Sequence, residues 1–166
     1  MTDKSGDDRM SEQEALMWHL EKDPYLLSNF GAITILGKGF NYEHFEHRVQ
    51  RAIVEVPRLR RRVLPSMGRL QTPRWATDRE FELDCHLYRI GLPRPGSQKQ
   101  LVDLCSRLLN EPFDRTRPLW QMIVVEGLEN GGTALFTKMH HTVSDGITSI
   151  RIAEHYMDID ANADDP

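Results

Sequence analysis

The stretch QMIVVEGLENGGTALFTKMHH, residues 121–141, constrains the fold more than any other part of the chain. Two apolar runs flank Asn130, Gly131 and Gly132, residue types that reverse the chain, so the segment reads as a β-hairpin. Its second strand ends on His140 and His141. From Ser144 a helical spacing follows through Ile147, Ile150, Ile152 and Tyr156. A helix entered directly from a core strand favours an α/β layered architecture.

The remaining elements fit that scheme. Ser11 is a good N-cap and Glu14, three residues on, completes a capping box for a helix over SEQEALMWHLEK. GAITILG is a β-branched run between glycines and reads as a strand. Asn41 can cap a second helix in which Phe45, Val49, Ala52, Ile53 and Val56 recur at helical spacing until Pro57 stops it. In FELDCHLYRI, Phe81, Leu83, Cys85 and Leu87 alternate as in a half-buried strand. Ser97 then caps a helix carrying Leu101, Leu104, Cys105, Leu108 and Leu109, and NEPFDRTRPLW is an irregular link. Residues 1–10 read as a disordered tail, 11–157 as one domain, and the acidic residues 158–166 as the start of a linker.

Composition excludes several classes. A net charge of −4 argues against a nucleic-acid binder with a broad basic face. No run approaches the roughly 18 apolar residues of a spanning helix. The polar start MTDKSGDDRM is not a secretory signal, and Cys85 and Cys105 have neither metal nor disulfide spacing. A cytoplasmic, reducing setting is expected. The basic run RLRRRV, with Arg58, Arg60, Arg61 and Arg62, is expected to be a solvated face, with an anion or acidic-headgroup site as the alternative.

Three readings compete for the histidines. A shared metal needs converging ligands. In a regular strand, however, His140 points with Lys138 and Phe136, while His141 points the other way with Met139 and Thr137. The spacing also lacks the HExxH pattern, so no metal is expected. The second reading is one packed and one solvated histidine, with Asp145 capping the next helix. The third is a general base at a strand-to-helix junction, with the turn at Asp145-Gly146 folding the carboxylate back to shape the loop. No protein nucleophile is evident: Ser144 lacks a GxSxG elbow and only Cys85 adjoins a histidine, His86. Direct transfer between two substrates is the more economical chemistry.

HHTVSDG has the HHxxxDG pattern and resembles the bacterial wax ester synthase/diacylglycerol acyltransferase family, within the superfamily of chloramphenicol acetyltransferase and condensation domains. PFDRTRPLW, FELDCHLYRIGLPRPG and MSEQEALMWHLE resemble further segments of that family, and the likeness covers about residues 10–157. It implies a chloramphenicol-acetyltransferase-like domain, a mixed sheet with flanking helices. It implies an acyl-CoA-dependent O-acyltransferase with acyl-CoA as co-substrate and no separate cofactor. His141 would take the proton of a diacylglycerol or long-chain alcohol hydroxyl as that oxygen attacks the thioester. Asp145 would shape the loop, with Arg115 or Arg117 as its suggested partner. His140 and Gly146 would support it, and Pro118, Leu119 and Trp120 would be architectural. No substrate-binding residue is implied.

Members of the family are longer, with two similar halves around the active-site channel. The resemblance therefore implies a C-terminal half on a separate chain, and peripheral contact with the inner membrane face or lipid droplets. The alternatives are another HHxxxDG-type acyltransferase with a non-lipid acceptor, and a truncated, non-catalytic interaction module.

Overall fold

The computed structural model describes residues 8–23, 25–37, 39–65, 72–144, 152–154 and 156. Three helices, α1 (Glu12–Leu20), α2 (Tyr42–Glu55) and α3 (Gln98–Asn110), accompany six strands: β1 (Asn29–Leu36), β2 (Arg61–Leu64), β3 (Arg74–Thr77), β4 (Leu87–Gly91), β5 (Trp120–Glu126) and β6 (Thr133–His140). The main sheet has the order β1-β6-β5-β4, and β2 and β3 form a separate ribbon. β5 and β6 are the hairpin, β1 pairs antiparallel with β6, and β4 pairs parallel with β5 across α3. A mixed sheet results, as expected.

Both inner strands are covered on both faces, which is why they read as apolar runs rather than alternating ones. On one face α2 lays down Phe45, Val49, Ala52 and Ile53 against Met122, Val124, Leu135 and Met139, joined by Ile152 and Tyr156. On the other, Leu101 and Cys105 of α3 cover Ile123, Val125, Ala134 and Phe136. Each fully buried aliphatic or aromatic side chain contributes about 1.5–3 kcal/mol, so these two faces dominate stability. Cys105 lies in the core, where burial pushes its thiol up to about 11. A third cluster packs Trp18 of α1 and Trp75 of the ribbon with Met10, Val63, Leu119 and Val143.

The caps are where the sequence places them. Ser11 and Glu14, and likewise Ser97 and Gln100, exchange reciprocal side-chain and backbone bonds, and Asn41 accepts from the His44 amide. At Gly96, just before α3, φ is +75° and an added Cβ would lie 1.9 Å from the Gly127 carbonyl, so only glycine fits between α3 and the hairpin.

Three expectations need correcting. Residues 8–10 do not belong to a disordered tail: the Trp75 amide donates to the Asp8 carbonyl at 2.6 Å, the Met10 amide donates to the Pro73 carbonyl at 2.9 Å, and Met10 is buried. The strand expected in FELDCHLYRI begins only at Leu87. Leu83–Cys85 is a 3-10 turn that leaves Cys85 partly exposed, because His86 turns inward to the first residue of β5. The arginine run is not a uniformly solvated face. Arg61 pairs with Asp8 at 3.1 Å, Arg62 donates to the Thr116 carbonyl at 3.2 Å, and Arg58 turns toward the histidines. The expected linker, together with Ile147 and Ile150, lies outside the described residues, whereas Ile152–Glu154 are helical.

Pro118, Leu119 and Trp120 form a joint between layers. The Trp120 indole N–H donates to the Leu59 carbonyl at 2.7 Å, while its own carbonyl accepts from His86 Nδ1 at 2.8 Å. The rings of His86, Phe81 and Trp120 cluster together, with His86 4.9 Å from Phe81 and 4.7 Å from Trp120 between centroids. Burial lowers its pKa, against the opposing pull of the Trp120 carbonyl. Trp120→Phe keeps an aromatic ring of smaller size, strands the buried Leu59 carbonyl and leaves part of the indole's volume empty. Urea unfolding is expected to show a loss of about 1–3 kcal/mol; a change near zero would remove this bond from the account.

Candidate active site

β6 delivers the two histidines to different environments, as alternation along a strand requires. His140 is 1% exposed, whereas His141 is exposed at the turn that follows. The His140 amide donates to the Leu119 carbonyl at 3.0 Å, so the Pro118-Leu119-Trp120 segment holds the end of β6 through its backbone. The role of that segment near the site is architectural.

The tautomer of His140 follows from its neighbours. Nδ1 accepts from the Thr142 amide at 3.0 Å and lies 2.7 Å from the Thr142 hydroxyl, so the proton sits on Nε2. Nε2 is 2.8 Å from Glu21 Oε1, a close contact bent away from a linear hydrogen bond. Glu21 ends α1 and also accepts from the Ser28 amide at 2.7 Å. Burial alone would raise the Glu21 carboxyl. The contacts with His140 and the Ser28 amide outweigh burial and hold it below its ordinary value.

His141 is organised from the same side. Its amide donates to the Ser28 carbonyl at 2.9 Å, and its ring rests against Phe30 with centroids 4.6 Å apart. Phe30 is paired with Met139, which places both on the α2 face. The imidazole borders a cavity of about 280 Å³ lined by Ser11, Gln13, Glu14, Met17, Arg58 and residues 141–144. An exposed imidazole beside a cavity can exchange a proton with a ligand there. His140 is enclosed, with Nδ1 held by the Thr142 amide and Nε2 facing Glu21, and has no such access.

A larger groove of about 720 Å³ lies between β1 and α3, lined by Ile33, Ile35, Leu101 and Val102. Ile35 pairs with Ala134, six residues from His140 along β6. At about 3.3 Å per residue that is about 20 Å away, so the groove is not part of this site.

Asp145 and Gly146 lie outside the described residues. Of their suggested partners, Arg115 lies over the Trp18 ring and donates to the Trp18 carbonyl at 2.8 Å, which satisfies the end of α1. Arg117 faces Glu82 and Asp114. Residues that sequence reasoning missed are Glu21, Ser28 and Phe30, while Arg58 was singled out only as part of the basic run. Of the missed residues only Glu21 carried a signal, as a carboxylate ending an apolar helix. Among the described residues no cluster of three or more His, Cys, Asp or Glu side chains could hold a metal, and no helix is long and apolar enough to cross a membrane.

A mixed sheet covered on both faces, with an exposed histidine where its inner strand ends, is a chloramphenicol-acetyltransferase-like layered domain. The starter condensation domain of rhizomide synthetase RzmA shares this fold, with a TM-score of 0.75 at 16% identity over 92% of this chain and 36% of that one. Residues 10–166 match the model of the wax ester synthase/diacylglycerol acyltransferase catalytic domain, and the chain belongs to that family.

Relatives bear this out. The chain is 37% identical to the probable diacylglycerol O-acyltransferase tgs3 of Mycobacterium tuberculosis, over 87% of its own length and 54% of that protein's. It is 43% identical to the probable diacylglycerol O-acyltransferase tgs2 of the same organism over 52% of this chain and 19% of that one. The wax ester synthase/diacylglycerol acyltransferase of Marinobacter aquaeolei VT8 superposes with a TM-score of 0.69 at 25% identity, over 87% of this chain and 37% of that one. The chain thus spans about half the length of tgs3 and less of the others.

The lowered folded-state pKa of Glu21 fixes the sign of a pH effect. Its stabilising contribution is complete above the ordinary carboxylate pKa and is lost as pH falls through the lowered folded value. Glu21→Gln should therefore be less stable at neutral pH and lose less on acidification. Urea melts across the acid range test this, and an acid limb as steep as wild type would show that Glu21 is not held ionised by this contact.

Proposed function

We propose that this chain is the histidine-bearing half of an acyl-CoA-dependent O-acyltransferase that acts on a diacylglycerol or long-chain alcohol. The observation that carries the reading is the division between the histidines: His140 is locked behind the loop, and His141 is presented to a cavity. His141 Nε2 or Nδ1 takes the hydroxyl proton of the acceptor as its oxygen bonds to the thioester carbonyl carbon. The carbon–sulfur bond then breaks, and the departing CoA thiolate recovers the proton from the imidazolium. No covalent acyl-enzyme is needed.

Family membership supports this reading, as do relatives named as diacylglycerol acyltransferases. A further part of the proposal is that a C-terminal half, of the kind the longer relatives have room for, closes the open side of the cavity. The share of tgs3 and of the Marinobacter enzyme that this chain leaves unmatched supports it. Exposed Leu16, Leu20, Tyr25 and Leu26, on and just after α1, suit contact with a membrane or lipid-droplet surface from the cytoplasmic side. A second reading, a non-lipid acceptor, is favoured by the polar wall that Ser11, Gln13, Glu14 and Arg58 give the cavity.

The test is acyl transfer from palmitoyl-CoA to a diacylglycerol or hexadecanol with the complementary half present. His141→Ala should lower turnover by about 10²- to 10⁴-fold, the usual worth of a general base, with little loss of stability because the ring is exposed. Unchanged turnover would rule out the base role. Activity only on a non-lipid alcohol would favour the second reading.

A further inference from the structure

Arg58 stands outside the HHxxxDG pattern, yet among the described residues it is a cation that reaches the histidine loop. Its Nη2 donates to the Thr142 carbonyl at 3.0 Å and also contacts the Glu14 carboxylate, with one N–H available for each. The face of the guanidinium lies 3.5 Å from the centroid of the Trp75 ring. Three separate bodies therefore meet on one side chain: α1 through Glu14, the β2–β3 ribbon through Trp75, and the loop through Thr142. Arg58 owes its own position to Leu59, whose carbonyl is held by the Trp120 indole.

The consequence for His141 is specific. Its amide is held by the Ser28 carbonyl, and the carbonyl of the next residue is held by Arg58. The dipeptide that carries the imidazole is thus pinned at both ends, by Ser28 before β1 and by Arg58 after α2. We propose that Arg58 is a positioning residue for His141. Its part is to fix the backbone from which the imidazole faces the cavity, with Glu14 and Trp75 fixing the guanidinium in turn. The inference rests on the reading of His141 as the base. Of the two arginines suggested by the family resemblance, neither makes a described contact with the loop, and Arg58 does.

A planar guanidinium can stack on Trp75 while its N–H groups serve two acceptors in different directions. An ammonium can reach one or both acceptors but cannot stack in the same way. Arg58→Lys should therefore restore part of what Arg58→Met removes.

The experiment compares both variants with wild type in two ways. In the purified chain, amide hydrogen exchange is followed at Thr142 and Val143, whose amides bond His140 Nδ1 and the His140 carbonyl. The His141 ring resonances are recorded in the same samples. Arg58→Met is expected to raise exchange at these two amides tenfold or more, leave the β5 amides unchanged and shift the His141 ring signals, with Arg58→Lys intermediate.

In acyl transfer with the complementary half present, Arg58→Met is expected to lower kcat at least tenfold with KM little changed. Unaltered loop exchange, exchange raised equally throughout β5 and β6, or an unchanged kcat would each overturn the proposal. The exchange measurement uses no substrate, so it judges Arg58 even where His141→Ala shows that the base reading has failed.

Discussion

A strand covered on both faces gives its polar side chains no solvent, and β6 carries two of them inward, Lys138 and His140. Each must be satisfied by the protein, since an unpaired buried polar group costs several times what a satisfied one contributes. Lys138 reaches the carbonyl of Glu111 just past α3 at 2.7 Å and lies over the Phe113 ring. Burial lowers its pKa, and Glu111 and Glu21 oppose that shift. The Lys138 bond ties the irregular link after α3 to β6, two residues before His140. Asn29, opposite His140 in β1, adds bonds to the Leu109 and Glu111 carbonyls. The end of the strand is rigid because its buried polar atoms leave it no other arrangement.

From that rigidity the site follows. His140 needs a partner for the nitrogen facing inward, and Glu21 supplies it only because α1 ends where it does. Glu21 in turn bonds the Ser28 amide, and the Ser28 carbonyl takes the His141 amide. One carboxylate thus organises both histidines, the first through its side chain and the second through its backbone. The arrangement leaves Nδ1 of the buried imidazole as an acceptor and presents the exposed ring to the cavity.

What the sequence made legible were features governed by local rules. Hairpin turns, helix caps and the apolar stripes of α2 and α3 depend on residues within a few positions of one another, and they stand as read. The opposite facing of His140 and His141 was legible for the same reason, since it needs only the period of a strand. The errors share a cause too. FELDCHLYRI alternates as a strand does, but His86 is drawn to a carbonyl 34 residues away and the chain must turn to reach it. The basic run reads as a solvated face because nothing nearby in sequence shows that Glu14, 44 residues earlier, or Thr142, 84 residues later, is its neighbour.

The same distinction separates the chemistry from its support. HHxxxDG is compact: the proposed base and the residues the family resemblance gives to shaping its loop are close in the chain. The groups that hold them, Glu21, Ser28, Arg58 and Trp120, are scattered across a hundred residues and converge only through the sheet. A motif of this kind can therefore survive in a chain whose supporting contacts have been lost, and its presence alone is weak evidence of a competent site. Here the supporting contacts are present: the loop backbone is held from the Ser28 side and the Arg58 side, and Nδ1 of the histidine behind it accepts from the Thr142 amide. Constraints of that kind fit the proposed role of His141, since an imidazole that is to meet a ligand needs a fixed backbone.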